Sequence, residues 1–391
     1  MTSFVSTKEI VPNNGITKID GLELLRFLLA FGVVIYHYYY IGPLLGNINQ
    51  ELFLSYYLSP LLFCVEAFFV ISGLVIALSA EKRSATEFLI ARCARLAPAL
   101  FVCTTITFFF THFWPQATHV SSSGPTWSQY FASALTLPLA WPSAAVTVDY
   151  SVWSLRIELR FYLIVFLILA LFPSVRLWKT IGFGLIALGT CSLALDSIRP
   201  TAMFRIAALS NYSAWFTMGI FVYLYFLYKQ RTSLVVLGLA CSLLLGAVQS
   251  YLEYNGVALE MLKLAPIKLT PIKWWGACLV SAGILGLIIV SLRTVHNYRL
   301  VRILSGLGAM SYPLYLIHQN LGYWLINSLS TGLDIEKVRL IQFGVILFML
   351  LLAFFIARFV EPPMARLIKR SLASALLVRR PVFKRESIRS P

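Results

Sequence analysis

The chain predicts an all-α integral membrane protein of about ten transmembrane helices, with the N- and C-termini cytoplasmic. Three observations predict it. Of 391 residues, 59% are hydrophobic and only 12% charged, against about 25% charged in a soluble domain. Apolar segments recur at about the 20-residue length that a helix needs to cross a bilayer. Lysine and arginine gather in alternate connections, as expected for loops on the cytoplasmic side. The formal charge of +16, from 32 basic and 16 acidic residues, is explained by those loops, and no nucleic-acid partner is expected.

The ten segments are 22–41, 57–78, 94–113, 151–172, 180–196, 210–228, 232–250, 274–292, 303–328 and 338–358. They divide the chain into a cytoplasmic segment 1–19, a membrane domain 20–360 with an outer loop at about 113–150, and a basic cytoplasmic tail 361–391. No apolar stretch with a cleavage site precedes the first segment, so no removable signal peptide is expected. Orientation rests on Lys82, Arg83, Arg92, Arg95, Arg176, Lys179, Lys229, Arg231, Arg293, Arg299 and Arg302 inside, against an outer loop with no lysine or arginine between Phe113 and Tyr150. Arg199, Arg205, Lys263, Lys268 and Lys273 in outer segments weaken this asymmetry without reversing it. Six cysteines show no metal-type spacing; they read as small core residues, and no metal is expected.

The first segment carries Arg26 near its start and His37 near its end, eleven residues apart. At about 100° and about 1.5 Å per residue they share a face, about 17 Å apart along the axis. Ionisable groups in a spanning helix are costly and face the bundle interior. The alternative is two independent placements, Arg26 snorkelling to headgroups and His37 ending the helix. In the second segment Glu66 needs a partner, while Ser72 and Gly73 in Phe68-Phe69-Val70-Ile71-Ser72-Gly73 suit close helix approach.

Ahead of the third segment, Arg92 and Arg95 share a helix face before Pro98. They suit either a phosphate clamp or a pair of membrane anchors. The outer loop holds Trp114, Trp127 and Trp141 with Pro115, Pro125 and Pro142, rings that suit a membrane interface and also stack on sugars. The fourth segment carries Arg156, Glu158 and Arg160, which must line a polar cavity or pair with other helices. The ninth carries His318. Helix rise puts His37 and His318 at similar heights in the outer half, with Glu66 and Glu158 about 12 Å from the outer end. Arg26, Arg92 and Arg95 fall at the inner edge. One polar path is expected between them. The tail reads as surface-bound on anionic lipid or loosely ordered.

These residues in this order resemble the membrane-bound acyltransferase 3 family, bacterial O-acyltransferases of surface glycans, in the stand-alone form without a periplasmic hydrolase domain. The carriers are the Arg26-to-His37 spacing, Phe68 to Gly73, Arg92 and Arg95 before a proline, Trp153-Ser154-Leu155 with Glu158, Ser311 to His318, and Glu361-Pro362. The resemblance implies a ten-helix bundle in the bacterial inner membrane. Such a bundle moves an acyl group, usually acetyl, from cytoplasmic acyl-CoA to a glycan hydroxyl at the outer face. Polysaccharide-assembly proteins are expected as further partners. It implies His37 as the essential histidine, Arg26 as its partner in the span, and Arg92 and Arg95 in acyl-CoA handling. Relatives often carry a second acid after the tryptophan motif, where this chain has Leu159 and Arg160.

Chemically, His37 suits a general base, with Glu158 or Glu66 orienting its ring. Direct transfer and an acyl-histidine intermediate both fit. A secondary transporter of a glycan or anion is the alternative reading, because buried His and Glu also suit proton relays. A glycan-binding scaffold is a third.

Overall fold

A computed structural model describes residues 20–81, 83–115, 124–135, 147–172, 178–196, 211–264, 271–293 and 298–377. Lys82, Arg176, Arg199, Arg205, Lys268, Trp141, Pro142, segment 1–19 and the tail beyond 377 lie outside them. All regular structure among the described residues is helical: α1 (Asp20–Tyr36), α2 (Cys64–Ala80), α3 (Ala85–Phe113), α4 (Trp127–Leu135), α5 (Trp153–Leu171), α6 (Trp178–Asp196), α7 (Ser213–Val222), α8 (Ser233–Leu264), α9 (Trp274–Arg293), α10 (Tyr298–Ile317), α11 (Gln319–Ser330), α12 (Ile335–Phe355) and α13 (Glu361–Leu377).

The described residues of the ten apolar segments are mainly helical. Among the described residues, six helical stretches are long and apolar enough to cross a membrane: Gly21–Leu44, Tyr56–Ala80, Ala85–Phe113, Ser233–Leu259, Trp274–Arg293 and Ile335–Leu376. Trp178–Ala194 and Ser213–Leu227 are apolar but shorter. The ninth segment, expected as one helix, is two, because α10 and α11 meet at a bend on His318. Pro313 in α10 has no N–H for the ladder. The Tyr38 hydroxyl also donates to the His318 carbonyl at 2.6 Å, a side chain inserting at the joint.

α7 is the centre of the bundle, with every residue from Ser213 to Val222 buried. A helix apolar all round belongs there. Its partner is α2, and the two backbones nearly touch. A Cβ on Gly73 would lie 2.2 Å from the Phe216 carbonyl oxygen, and one on Gly219 would lie 2.1 Å from that of Val70. Lipid tails are as apolar as leucine, so helices associate through such close packing and through interhelical hydrogen bonds. Outward leucines and phenylalanines on α8, α9 and α12, such as Leu244, Leu279 and Leu351, form an exposed apolar belt.

Two helices change pitch where proline follows. α1 loosens into a π-turn at His37–Ile41 just before Pro43. α12 does the same at Ile356–Val360, before Pro362 and Pro363. Proline removes a ladder bond and crowds the carbonyl four residues back, and a π-turn absorbs that mismatch while re-aiming the side chains beside it. The stretch after Glu361, read from sequence as a tail, continues as α13 to Leu377 and packs along α3.

Gly219→Val should cost about 3 kcal/mol by forcing α7 off α2, seen as a lower melting temperature or loss of the monodisperse peak in detergent. A variant that melts like the parent would remove the Gly73–Gly219 crossing as the structural centre.

Candidate functional site

The first turns of α3 are fixed by a capping box. The Ser84 side chain accepts from Glu87 N, and Glu87 Oε2 accepts from Ser84 N. The helix therefore starts at Ala85, and its second and third turns carry Arg92 and Arg95 to a cavity of about 350 Å³. α1 adds Arg26, α2 adds Ser72, and α5 adds Glu158 and Tyr162. Tyr312 and Tyr315 of α10 complete the lining, with Arg83 at one edge. Arg26, Arg92, Arg95 and Glu158, inferred separately from sequence, thus meet in one space.

The arginines are held in different ways. Arg26 lies 3.6 Å from Glu23. Arg95 pairs with Glu361 at 3.1 Å and stacks over the Tyr312 ring at 5.3 Å. Among the described residues no carboxylate pairs with Arg92. Its guanidinium sits 5.7 Å from the Phe88 ring and 5.8 Å from that of Tyr162. Its Nη2 reaches Ser79 Oγ only at 3.5 Å, and its buried Nε has no hydrogen-bond partner. A buried unpaired guanidinium N–H is costly, so Arg92 is the cavity cation most open to an anion.

Glu158 lies in this cavity and not beside His37. Its Oε1 accepts from Ser72 Oγ at 2.6 Å and from the Tyr162 hydroxyl. Ser72 is therefore a hydrogen-bond donor as well as a small packing residue. Glu66 is 3% exposed, its Oε2 has no partner, and it bonds neither histidine. The expectation that Glu66 or Glu158 orients the His37 ring finds no contact in the structure. Of the other charges in the fourth segment, Arg156 is buried with an unpartnered Nε, and Arg160 faces a separate, mainly apolar groove of about 430 Å³ that Arg92 also borders.

His37 opens the π-turn of α1, and its neighbour is His318. His37 Nδ1 lies 3.0 Å from His318 Nε2 and 2.9 Å from the Val33 carbonyl oxygen. The two rings are 4.9 Å apart at their centroids. The turn is tied by Tyr323, whose hydroxyl donates to the His37 carbonyl at 3.3 Å, and by Gln342 Nε2, which donates to that of Tyr38 at 2.8 Å. The polar path expected from Arg92 to His37 is not continuous, because neither histidine lines the cavity. Tyr315 lines the cavity, its hydroxyl bonds Ser154 Oγ at 2.7 Å, and its ring stands 6.0 Å from that of His318.

Beside the histidines, Asp149 accepts from Asn320 N at 3.1 Å and from Ser151 N at 2.9 Å, holding the segment before α5 on the start of α11. Burial pushes its carboxyl up to about 6, against those hydrogen bonds. Sequence reasoning set His318 at the right height but did not pair it with His37, and it did not see Glu361 as the partner of Arg95. His318 stood out as a histidine in an apolar segment and Glu361 as part of the Glu361-Pro362 stretch, but nothing along the chain joins residues 281 and 266 positions apart.

Comparison with known proteins bears on the activity. The family model Acyl_transf_3, described as an acyltransferase domain, matches residues 19–358. No curated protein and no solved structure matches the chain. The match takes in the arginine-lined cavity, both histidines and almost the whole bundle, and the chain belongs to the acyltransferase 3 family of membrane acyltransferases.

Proposed function

We propose that this membrane acyltransferase moves an acyl group, acetyl by expectation, from cytoplasmic acyl-CoA to a hydroxyl of a cell-surface or exported polysaccharide. It does so from the bacterial inner membrane, with ten spans and both termini inside. One observation carries the reading: a cavity with four arginines, one of them (Arg92) without an acid partner among the described residues, is lined by Tyr315, whose ring packs on that of His318 in the histidine pair. Guanidinium groups are suited to planar, charge-assisted bonds with phosphates, and imidazole suits proton transfer near neutral pH.

On this reading Arg26, Arg92 and Arg95 hold the phosphates of the donor. Glu158, whose Oε1 is already engaged by Ser72 and Tyr162, offers its second oxygen to an amide N–H of the pantetheine arm. The thioester passes Tyr315 with that ring turned from Ser154. His37 then takes the acceptor proton as the hydroxyl oxygen attacks the thioester carbonyl. A C–O bond forms, the C–S bond breaks, and the thiolate leaves and recovers the proton from His37, giving an ester and free CoA thiol.

In membranes supplied with acetyl-CoA, His37→Ala should lower acyl transfer and CoA release by at least about 100-fold, with folding unchanged by size exclusion. Full turnover in that variant would end the assignment of His37. Arg92→Ala should raise the donor KM by about tenfold or more, as loss of one charge-assisted bond predicts, with kcat less affected. An unchanged KM would remove the cavity as the CoA site.

A further inference from the structure

His318 is fully buried at the joint of α10 and α11. Its Nδ1 lies 2.9 Å from the Tyr315 carbonyl oxygen and 3.2 Å from that of Leu314. Carbonyl oxygens only accept, so this nitrogen carries a hydrogen. No carboxylate bonds either ring among the described residues, and a second proton would leave an unpaired cation in an apolar bundle. The His318 ring is therefore neutral, and its Nε2 is an acceptor. The atom facing it at 3.0 Å is His37 Nδ1, which also lies 2.9 Å from the Val33 oxygen. With two acceptors around it, His37 Nδ1 is the donor, and the bare nitrogen of a neutral His37 ring is Nε2. No described residue bonds that nitrogen.

We propose that His318 is the positioning residue for His37. It fills with a neutral imidazole the place that a carboxylate takes beside other catalytic histidines, and thereby fixes His37 Nε2 as the nitrogen that receives the acceptor proton. When Nε2 takes that proton, the Nδ1–H of His37 points at a nitrogen that can accept it. The positive charge is then shared by two rings instead of resting on one. The Val33 carbonyl holds the hydrogen bond but cannot take the proton. The other groups around the pair are phenols. Tyr36 and Tyr323 pack on His37, Tyr315 packs on His318, and Tyr38 donates to the His318 carbonyl. Asp149 is the one acid on the adjoining segment 113–150, and it accepts from Asn320 N and from Ser151 N and Oγ instead of from a ring.

This assignment rests on His37 as the base, and its test separates the two. In protein labelled with ¹⁵N-histidine and held in lipid, the His37 signals, identified by their loss in His37→Ala, should show Nδ1 protonated and Nε2 bare at neutral pH. Nε2 found protonated in the neutral ring overturns the proposal whatever the activity. His318→Ala should lower kcat by about 100-fold with the donor KM within twofold, and should shift the pH dependence of kcat. His318→Gln keeps an acceptor that cannot take a proton. It should preserve the His37 tautomer and recover part of kcat while remaining below wild type. Wild-type kcat in His318→Ala, or no difference between the Gln and Ala variants, overturns the proposal. Wild-type turnover in His37→Ala overturns the assignment of the base and leaves the tautomer result standing by itself.

Discussion

A polar side chain inside an apolar bundle has no water to bond, so it must find its partner on another helix or on a nearby carbonyl. That constraint decides which helices adjoin here. Ser72 reaches Glu158 across α2 and α5, Arg95 reaches Glu361 across α3 and α13, and Tyr312 donates to the Leu96 carbonyl across α10 and α3. Tyr38 ties α1 to the α10–α11 joint, and Gln342 ties α12 to α1. Each such bond is worth only about 1 kcal/mol. Apolar contact gains little against lipid, so a handful of these bonds together with close backbone crossings selects one arrangement.

The same constraint separates two chemistries. The arginines sit where aromatic faces and the carboxylates Glu23 and Glu361 can support them. The histidines sit among carbonyls and phenols, and no described charged side chain bonds either ring. An imidazolium formed among four guanidinium groups would be repelled by all of them, and the low dielectric of a bundle strengthens that repulsion. Tyr315 stands at the border. Its ring lies between the arginine-lined cavity and His318, so the anion binding and the proton transfer proposed above would occupy different electrostatic surroundings.

Of the three π-turns among the described residues, the one at Tyr223–Leu227 has no proline after it, and the other two belong to this design in a local sense. Each lies where proline makes a regular ladder untenable, and each sits beside a residue of the site, His37 in one case and Glu361 in the other. An α-helical register at 37–41 would carry the later residues of the turn to other neighbours, including Tyr38 and its bond to the His318 carbonyl. Backbone irregularity in α1 is thus coupled to the joint of α10 and α11, which carries the second histidine.

Much of this was legible in the residues alone. Composition and segment length establish the helical membrane class. A rise of 1.5 Å and a turn of 100° put Arg26 and His37 on one face and give every ionisable group a height. Arg92 and Arg95 share a face for the same reason, and glycine at 73 announces a close crossing. These quantities belong to a single helix, and its own geometry sets them. What lies across from each residue depends on packing between segments hundreds of positions apart. Only the tertiary structure decided that His37 meets His318, that Glu158 joins the arginines, that Glu361 holds Arg95, and that Tyr315 both lines the arginine cavity and packs on His318.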